Sequence, residues 1–576
     1  MNIRAFIPIL DWLPSYKKSF LRKDLMAGFT IGVMLIPQAM AYASVAGLPP
    51  VYGLYAALIP VFIYVLLGTS MQLSVGPVAM VSLLTATALS SFGAVDMDTY
   101  INYALLLSFM VGGMQLLLGV FRLGFLVNFL SYPVISGFTS AAATIIGLTQ
   151  LKHLLGVNVA RSSNVTVIVT DLLAKINEIN LLSVGIGLFA ILLIIILKKI
   201  NKSIPFLLIA MLFGILIVTF FDLGNSVEIT RDIPSSIPHF SLFKFDFEIL
   251  NQLFPMAVTI ALVGYMQSIA VAKSLESQQG DHVVNANQEL KALGISNLIG
   301  SLFQSYPVSG GIARTAVNNE AGAKTPLASL FSALLILCTL LFLTPLFYNL
   351  PKTILAAIIL VAIYGLIDVK EALFLYKSNR VDFWLLIATF CATLFFGIEK
   401  GIAFGVTLSL IIVIYRSTKP HVAVLARVPG THFYRNIERF DALVPCKDVL
   451  IFRFDAQIYF ANISFFKEKL ADLVTEKGRD LTLIILHGES INNLDSSAIK
   501  MLKEIHKKYT QKGVEIVFTA LKGPVRDAMS KGGVFNGVEF ENCYMGIRQA
   551  MKAHHNKKKP RGSNGKYGKY VTQIND

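Results

Sequence analysis

The chain has 576 residues, of which 55% are hydrophobic and only 15% are charged, and its formal net charge is +15. About a quarter of the residues of a soluble globular protein are charged, so this composition excludes a wholly soluble protein. Charged residues are sparse between Asp24 and Arg416 and return at ordinary density from Ser417 onward. We therefore expect a large membrane domain followed by a soluble domain.

The excess of Lys and Arg does not indicate nucleic-acid binding. Basic residues gather in predicted loops on one side of the membrane, as the positive-inside rule describes, and in the C-terminal tail, which is placed to contact anionic membrane lipid. The four cysteines show no Cys-x-x-Cys spacing and the nine histidines are scattered. The sequence therefore predicts no disulfide framework, metal site or cofactor.

Fourteen apolar segments are predicted to span the membrane, each close to the length that a bilayer requires or interrupted inside the protein. Their bounds are 24–46, 49–68, 74–92, 100–121, 125–150, 180–198, 203–221, 252–275, 286–304, 308–319, 326–346, 353–368, 382–397 and 400–416. The even count places both termini on one side, and the loop charges place that side in the cytoplasm. We expect a multi-pass protein of the plasma membrane, or of the inner membrane in a bacterium.

The same pattern divides the chain into domains. The predicted parts are a cytoplasmic N-terminal segment (1–23), a transmembrane domain (24–416), a linker that begins the soluble domain (417–443), the soluble domain proper (444–555) and a disordered basic tail (556–576). Seven spans would make up each half of the transmembrane domain. Because seven is odd, the two halves have opposite orientations in the membrane.

The third span of each half opens on a stretch that is poor helix material. Leu73–Met80 reads LSVGPVAM, and Pro307–Arg314 reads PVSGGIAR. Ordinary Gly/Pro kinks are common in membrane helices, and one such break would indicate little. Two breaks at matching places in inverted halves are a better indication of the binding site of a transporter.

A helix that starts inside the membrane leaves unpaired N–H groups and a partial positive charge at its N-terminus. Two such termini facing each other would form an anion site, to which glycines such as Gly310 and Gly311 allow close backbone approach. Arg314 adds a permanent charge that is costly at this depth without an anion nearby. These residues predict a small anion as the transported ion.

Other roles for the same residues remain open. Arg314 would alternatively pair with a buried acid, although Glu289, Glu320 and Glu399 all lie near span ends. Ser74 and Ser309 are expected to offer hydroxyl donors to the anion, or else to hydrogen-bond back to their own helices.

In the first span, Pro37 loosens the helix. Gln38 and Tyr42 lie about one turn apart on a single face. Both are available to contact a ligand, although a packed Tyr beside a Pro kink is also common.

Four stretches together resemble the SulP family of anion transporters, which includes sulfate permeases, bicarbonate transporters and the motor protein prestin. They are LIPQAMAYASVAGLPPVYGLY (35–55), LLGTSMQLSVGPVAM (66–80), NQEL (287–290) and PVSGGIARTAVNNEAGAKT (307–325). The resemblance covers nearly the whole chain. It implies seven plus seven inverted spans, in which a core domain (spans 1–4 and 8–11) moves against a gate domain (spans 5–7 and 12–14), with the anion between the N-termini of spans three and ten.

The resemblance also implies which residues bind the anion. The positions that match the family's binding site are Gln38, Tyr42, Ser74, Val78, Ala79, Ala313 and Arg314.

The chain departs from the family at two places. Many relatives have Ser at the position of Ala313, so one hydroxyl is missing here. Relatives that couple transport to protons or sodium often have Glu or Asp at the position of Gln267.

Gln267 allows three interpretations. The protein is an uncoupled or exchanging transporter, or it couples through another group, or Gln267 is an introduced replacement of Glu. We favour the first, because glutamine neither takes up a proton nor offers the carboxylate that binds sodium. Glu276, nine residues further on and roughly 13 Å along a helix, is too far away to replace it.

The C-terminal domain alternates short β-type runs with amphipathic stretches, which predicts an α/β domain with its sheet covered on one side. In Asn492–Ser497 (NNLDSS), Asp495 and Ser496 are placed to cap a following helix. This part resembles the STAS domain that ends SulP transporters. The resemblance implies Ser497 as a candidate regulatory phosphorylation site, and it implies a homodimer or a regulatory protein partner.

The sequence thus favours a secondary active or exchanging transporter of a small inorganic anion, of the sulfate or bicarbonate class, that works by alternating access. Two alternatives are an uncoupled, channel-like anion conductor and a membrane-anchored anion sensor or scaffold that acts through STAS. Nucleobase transport is disfavoured, because the charge of Arg314 requires a balancing charge. No nucleophile–base pair or nucleotide-binding loop is present, so an enzyme is not expected.

Overall fold

A computed structural model gives the structure of residues 6–93, 95–125, 131–157, 165–200, 205–231, 233–279, 283–440, 443, 445–534 and 543–558. The chain forms two compact units, Met1–Ser409 and Leu410–Asp576. The predicted basic tail lies outside the described residues from 559 onward.

After a four-residue helix at Ile9–Trp12, the first unit consists, as far as it is described, of longer helices and one short pair of strands. In chain order these are α1 (Lys18–Val45), α2 (Pro50–Ala56), α3 (Ile59–Leu67), β1 (Val75–Gly76), α4 (Ala79–Ser90), α5 (Met97–Val120), α6 (Tyr132–Leu155), α7 (Val165–Ala174), α8 (Leu181–Ile200), α9 (Phe206–Phe220), α10 (Phe247–Gln279), α11 (Ala286–Leu302), β2 (Ser309–Gly310), α12 (Ile312–Glu320), α13 (Leu327–Cys338), α14 (Lys352–Tyr364), α15 (Val369–Ser378), α16 (Arg380–Phe396) and α17 (Ile398–Thr418, which runs on into the second unit).

Each of the fourteen predicted spans overlaps at least one of these helices. Within the described residues, nine helical stretches are long and apolar enough to cross a membrane. Within the described part of the chain, three α-helices are additional to the prediction. They are the four-residue helix Ile9–Trp12 and the ten-residue helices α7 and α15, and α15 forms where a loop was expected. The Asp368 side chain caps α15 by accepting from the N–H of Glu371, a polar signal that hydrophobicity alone does not report.

The helices of the first unit pack as two groups. One group contains α1 to α5 and α10 to α13, and its main contacts are α5 with α11 and α1 with α13. The other contains α6, α8, α9, α14 and α16, joined chiefly through α6 with α16 and with α14. The first group has the composition of the core domain that the sequence resemblance implies, and the second has that of the gate domain without its last span, α17.

The packing also has the pattern of two related halves. The contact of α5 with α11 has its counterpart in α13 with α3, and the contact of α6 with α16 has its counterpart in α14 with α8. At the α5–α11 crossing the backbones come very close, since a Cβ added to Gly112 would lie 2.5 Å from the Leu298 nitrogen. Small residues allow such close helix packing where the surrounding lipid supplies no hydrophobic drive.

The second unit is an α/β domain with a six-stranded sheet in the order β4-β3-β5-β6-β7-β8. Its elements are β3 (Val422–Arg427), β4 (Tyr434–Asn436), β5 (Val449–Phe454), α18 (Ile463–Lys477), β6 (Leu483–His487), α19 (Ser496–Gln511), β7 (Glu515–Thr519), α20 (Gly523–Lys531), β8 (Cys543–Tyr544) and α21 (Ile547–Lys558). Strands β5 to β8 are parallel, and β3 and β4 add an antiparallel edge. Both added strands come from the predicted linker.

The sheet is covered on both faces, so the expectation of cover on one side was wrong. Phe452 and Leu486 pack with α18 and α19 in one core, whereas their neighbours Ile451 and Ile485 pack with Ile547 of α21 in a second core. Alternate residues of a strand point to opposite faces, so near-continuous apolar strands such as VLIFRF are typical of a sheet buried on both sides.

Candidate functional site: an anion site between two half-helices

The two broken spans meet in the middle of the first unit. Val75 pairs with Gly310 and Gly76 with Ser309 in an antiparallel bridge, and helices α4 and α12 begin two or three residues later. Pro77 has no N–H to give to a helix and fixes its own φ, so the chain remains extended until Val78. The sequence breaks therefore bring the N-termini of two half-helices to one place.

Neither half-helix has a side-chain cap. The residues at the cap positions, Val78 and Gly311, have extended backbones and make no capping hydrogen bond. A capping side chain normally satisfies the first N–H groups of a helix. Without one, the partial positive charge of each terminus faces the space between the two helices.

Arg314 is buried at this junction, with only 2% of its surface exposed. Its Nη1 donates to the Pro77 carbonyl at 2.5 Å, whereas Nε and Nη2 have no partner among the described residues. The titratable side chains that interact with it electrostatically are the phenols of Tyr42 and Tyr306. Neither is a carboxylate, so the structure supplies no acid to balance this charge within the described part of the chain.

Two glycines make room for the guanidinium. A Cβ at Gly311 would lie 2.9 Å from Nη2 of Arg314, and one at Gly76 would lie 3.2 Å from the same atom. Gly76 also has φ +150°, a value that other residues rarely adopt. The glycines thus place the guanidinium directly against both extended segments.

Several predicted donors are already engaged within the protein. Ser309 donates to the Gly264 carbonyl at 2.6 Å, and its hydroxyl also contacts that of Ser268. The N–H of Gly310 donates to Ser268 Oγ, and the N–H of Gly311 donates to the Ser74 carbonyl. These groups therefore hold the two segments in place, which leaves Arg314 and the first N–H groups of the helices for an anion.

The other predicted residues lie around this junction. Helix α1, which carries Gln38 and Tyr42, packs against both half-helices. Gln38, Tyr42 and Ala79 are buried with exposures of 6–8%. Ala313, beside Arg314, is exposed.

Gln267 lies on α10, next to Ser268. Its Oε1 atom is buried and has no hydrogen-bond partner among the described residues. A buried carbonyl oxygen without a hydrogen-bond partner costs free energy. Such groups are therefore rare in proteins, and functional positions are among the places where they occur. The amide oxygen of Gln267 is thus unsatisfied within the described part of this structure.

A buried polar network that the sequence reading missed supports the site. Asn297 on α11 binds the backbone of Val308 in both directions, accepting from its N–H at 2.8 Å and donating to its carbonyl at 3.2 Å. Asn297 also donates to Gln115, which in turn donates to the Ala261 carbonyl of α10. The signal was available, because polar residues inside apolar spans are rare and functional.

Two fully buried carboxylates hold the chain segments that follow α3 and α12. Glu289 accepts from the N–H and hydroxyl of Thr69, the N–H of Ser70 and the hydroxyl of Tyr64, all within 3.1 Å. Asp24 accepts in a similar way from Lys324 and Thr325. Because Glu289 is fully engaged in this way, it is not the partner of Arg314.

In the second unit, Asp495 caps α19 as predicted. Its Oδ1 accepts from the N–H of Ala498 at 2.7 Å, and its Oδ2 accepts from the N–H of Phe460. Ser496 is exposed and Ser497 is half-buried in the first turn of the helix.

Comparison with known proteins identifies the family. Residues 21–389 match the model of the sulfate permease family and residues 444–550 that of the STAS domain. The chain is 38% identical over 568 residues to sulfate transporter 4.1, chloroplastic, of Arabidopsis thaliana, with 96% of this chain and 82% of that protein covered. It is 32% identical over 553 residues to high affinity sulfate transporter 1 of Stylosanthes hamata, with coverage of 91% and 82%.

Solved structures have the same fold. Murine Solute Carrier 26 family member A9, an anion transporter in the inward-facing state, superposes with a TM-score of 0.89 at 26% identity, covering 96% of this chain and 94% of that one. The transmembrane domain of the cyanobacterial bicarbonate transporter BicA superposes with a TM-score of 0.60 at 24% identity, covering 69% and 98%. The chain belongs to the sulfate permease family of membrane transporters, which are not enzymes, and ends in a STAS domain.

Proposed function

We propose that this protein is a secondary active or exchanging transporter of a small inorganic anion of the sulfate or bicarbonate class. The observation that carries the proposal is Arg314, whose buried guanidinium has two unpartnered nitrogens beside two uncapped helix N-termini. An anion placed there satisfies the guanidinium and both helix dipoles at once. The relatives named as sulfate transporters and the anion-transporter structures support the same class of substrate.

The proposed mechanism is alternating access. The anion lies between α4 and α12 in the core group, which then slides against the gate group and exposes the site to one side at a time. The division of most helix contacts between two groups supports this proposal, with α1 contacting α9 and α14 across the boundary. The proposed site residues are Gln38, Tyr42, Ser74, Val78, Ala79, Gln267, Ser309, Gly310, Gly311, Ala313 and Arg314; among them Ser74, Ser309, Gly310 and Gly311 fix the segments, while Arg314 and the helix termini hold the ion.

Gln267 favours exchange or uncoupled movement over coupling to a cation, because an amide does not titrate. Its missing carboxylate equally permits a channel-like conductor, which is the second candidate. Replacement of Gln267 by Glu is expected to create uptake that depends on a proton or sodium gradient, whereas the native chain transports without one. Gradient-independent uptake by both proteins would show that position 267 is not the coupling site.

We also propose a plasma-membrane protein with both termini in the cytoplasm, acting as a homodimer with the STAS domain as its regulatory part. The loop charges support the orientation. A phosphate on Ser497 would lie in the first turn of α19, where negative charge is favourable, so we propose this residue as a regulatory site.

Uptake of radiolabelled sulfate and bicarbonate into proteoliposomes tests the proposal. Saturable uptake by the native chain is expected, with loss in Arg314→Ala and partial activity in Arg314→Lys, which keeps a charge but not the bidentate geometry. Arg380→Ala, at an exposed arginine on α16, is the matched control and should transport normally. Large voltage-driven currents without countersubstrate would favour the channel. Anion binding without flux would favour a sensor.

A further inference from the structure

Each half-helix at the anion site carries a buried hydroxyl at its fourth residue, Ser82 on α4 and Thr315 on α12. The N–H of Ser82 donates to the carbonyl of Val78, the residue at the cap position of α4. In the same way, the N–H of Thr315 donates to the carbonyl of Gly311, at the cap position of α12. The two hydroxyls therefore occupy equivalent places, about 4.5 Å along each helix from its first residue.

Both hydroxyls contact the extended segment that leads into the other half-helix. Thr315 Oγ1 accepts from the N–H of Ser74 at 3.0 Å. Ser82 Oγ lies 3.0 Å from the hydroxyl of Tyr306, a fully buried side chain that also interacts electrostatically with Arg314. Each half-helix is thus joined by a hydrogen bond to the segment that precedes the other.

Hydroxyls inside a helix more commonly bond within that helix. Ser and Thr side chains often donate to the carbonyl four residues earlier in the chain. Thr85, on the next turn of α4, does so, since its Oγ1 donates to the Val81 carbonyl at 2.9 Å. Ser82 and Thr315 instead contact the opposite segment, so their contacts belong to the junction between the half-helices.

These contacts restrict the direction of the two half-helices. The pairing of β1 with β2 holds the extended segments together, but by itself it leaves each helix free to pivot about its first residue. A second attachment one turn further along removes that freedom. The separation of the two helix N-termini therefore depends on both hydroxyl contacts as well as on the strand pairing.

We propose that Ser82 and Thr315 are positioning residues that set the size of the anion that the site accepts. The inference rests on the proposed function, in which the anion lies between the two helix N-termini. An ion that fits the fixed separation meets Arg314 and both termini at once. A larger ion must push the half-helices apart against the two contacts. Ser82 and Thr315 act on the ion through the position of the helix N–H groups.

Calorimetric titration of the purified full-length protein with sulfate and with tungstate measures this size selectivity. Both ions are tetrahedral dianions, and tungstate is the larger. Thr315→Val keeps the shape of the side chain but removes the acceptor of the Ser74 N–H. We expect the affinity for tungstate relative to sulfate to rise about fivefold, because α12 is then free to move away from α4. Thr315→Ser, which keeps the hydroxyl, should retain the native ratio.

A double-mutant cycle tests the contact between Ser82 and Tyr306. Ser82→Ala and Tyr306→Phe each remove one hydroxyl, and each should raise the affinity ratio of tungstate to sulfate. The double variant should raise it no further than either single change, because both changes remove the same contact. Thr85→Val is the matched control, since it removes a buried hydroxyl of α4 that donates within its own helix, and it should leave the ratio unchanged.

The possible outcomes separate this inference from the proposed function. A native affinity ratio in both Thr315→Val and Ser82→Ala, with sulfate still bound, overturns the positioning role and leaves the proposed function standing. An equal rise of the ratio in Thr85→Val and Ser82→Ala also overturns it, because the loss of any buried hydroxyl of α4 would then have the same effect. If the native chain binds neither dianion and does not bind bicarbonate, the proposed function fails and this inference fails with it.

Discussion

Arg314 is buried with two unpartnered guanidinium nitrogens, and the glycines around it exist because any side chain there would occupy its space. The Arg and the glycines were predictable from PVSGGIAR, since a fixed charge within an interrupted span is costly unless it has a function. The sequence did not show that the N–H groups of Gly310 and Gly311 donate hydrogen bonds to Ser268 and Ser74. Gly311 and Ser74 are 237 positions apart in the chain, and no local sequence pattern reports a contact over that distance.

Gly311→Ala tests the space around the guanidinium. The new Cβ would lie 2.9–3.1 Å from three guanidinium atoms of Arg314, so that side chain must move away from the helix termini. We expect sulfate affinity to fall at least about tenfold, which equilibrium binding of radiolabelled sulfate to purified protein would measure. Gly113→Ala, whose Cβ meets nothing within 4 Å, is the control. Native affinity in Gly311→Ala would contradict this role of the glycine.

The half-helices α4 and α12 depend on neighbouring elements for their position. Their existence was predictable from Pro77 and Pro307, and so was their pairing, because the breaks occupy matching places. The hydrogen-bond network through Gln115 and Asn297 was not predictable, because its partners include backbone groups of distant segments. The amphipathic helix α15 was also not predicted, because the prediction followed apolar segments and did not use the capping residue Asp368.

Asn297→Ala tests the network that positions β2. The change leaves the N–H and the carbonyl of Val308 buried without partners, which costs roughly 1–3 kcal/mol for each group. We expect a markedly lower melting temperature in detergent together with weaker sulfate binding. Ser108→Ala is the control, because its hydroxyl lies 3.4 Å from the Asn297 carbonyl and contributes little. Equal melting temperatures for Asn297→Ala and the control would contradict the network's role.

The soluble domain has its own ionic cluster at the end of β5. Burial raises the pKa of the Asp455 carboxyl, but hydrogen bonds from Arg453 and His421 outweigh it and hold the pKa below its usual range. A lowered pKa in the folded state stabilises the domain above the unfolded pKa of about 4, and this contribution is lost as the pH falls further.

Asp455→Asn should therefore destabilise β5 at pH 7 and have progressively less effect below about pH 4. Hydrogen exchange of residues 449–454 in the full-length protein, corrected for intrinsic rates, measures this locally. Lys467→Gln, which breaks an exposed pair with Glu504, is the control and should change exchange little. An effect of Asp455→Asn that grows as the pH falls would contradict the assignment.

For the molecule as a whole, the order of domains and the inverted halves followed from charge density and from the positions of two Gly/Pro breaks. The cover of the soluble sheet on both faces was not predicted, although the near-continuous apolar strand VLIFRF is the pattern typical of a sheet that is buried on both sides.

The position of a bound anion tests the central claim most directly. Crystals grown with selenate, an analogue of sulfate with a usable anomalous signal, would locate the ion without reference to transport. We predict an anomalous peak within hydrogen-bonding distance, about 3 Å, of the Arg314 guanidinium and facing the first turns of α4 and α12. Selenate bound at saturation elsewhere in the core group, with no peak beside Arg314, would contradict it.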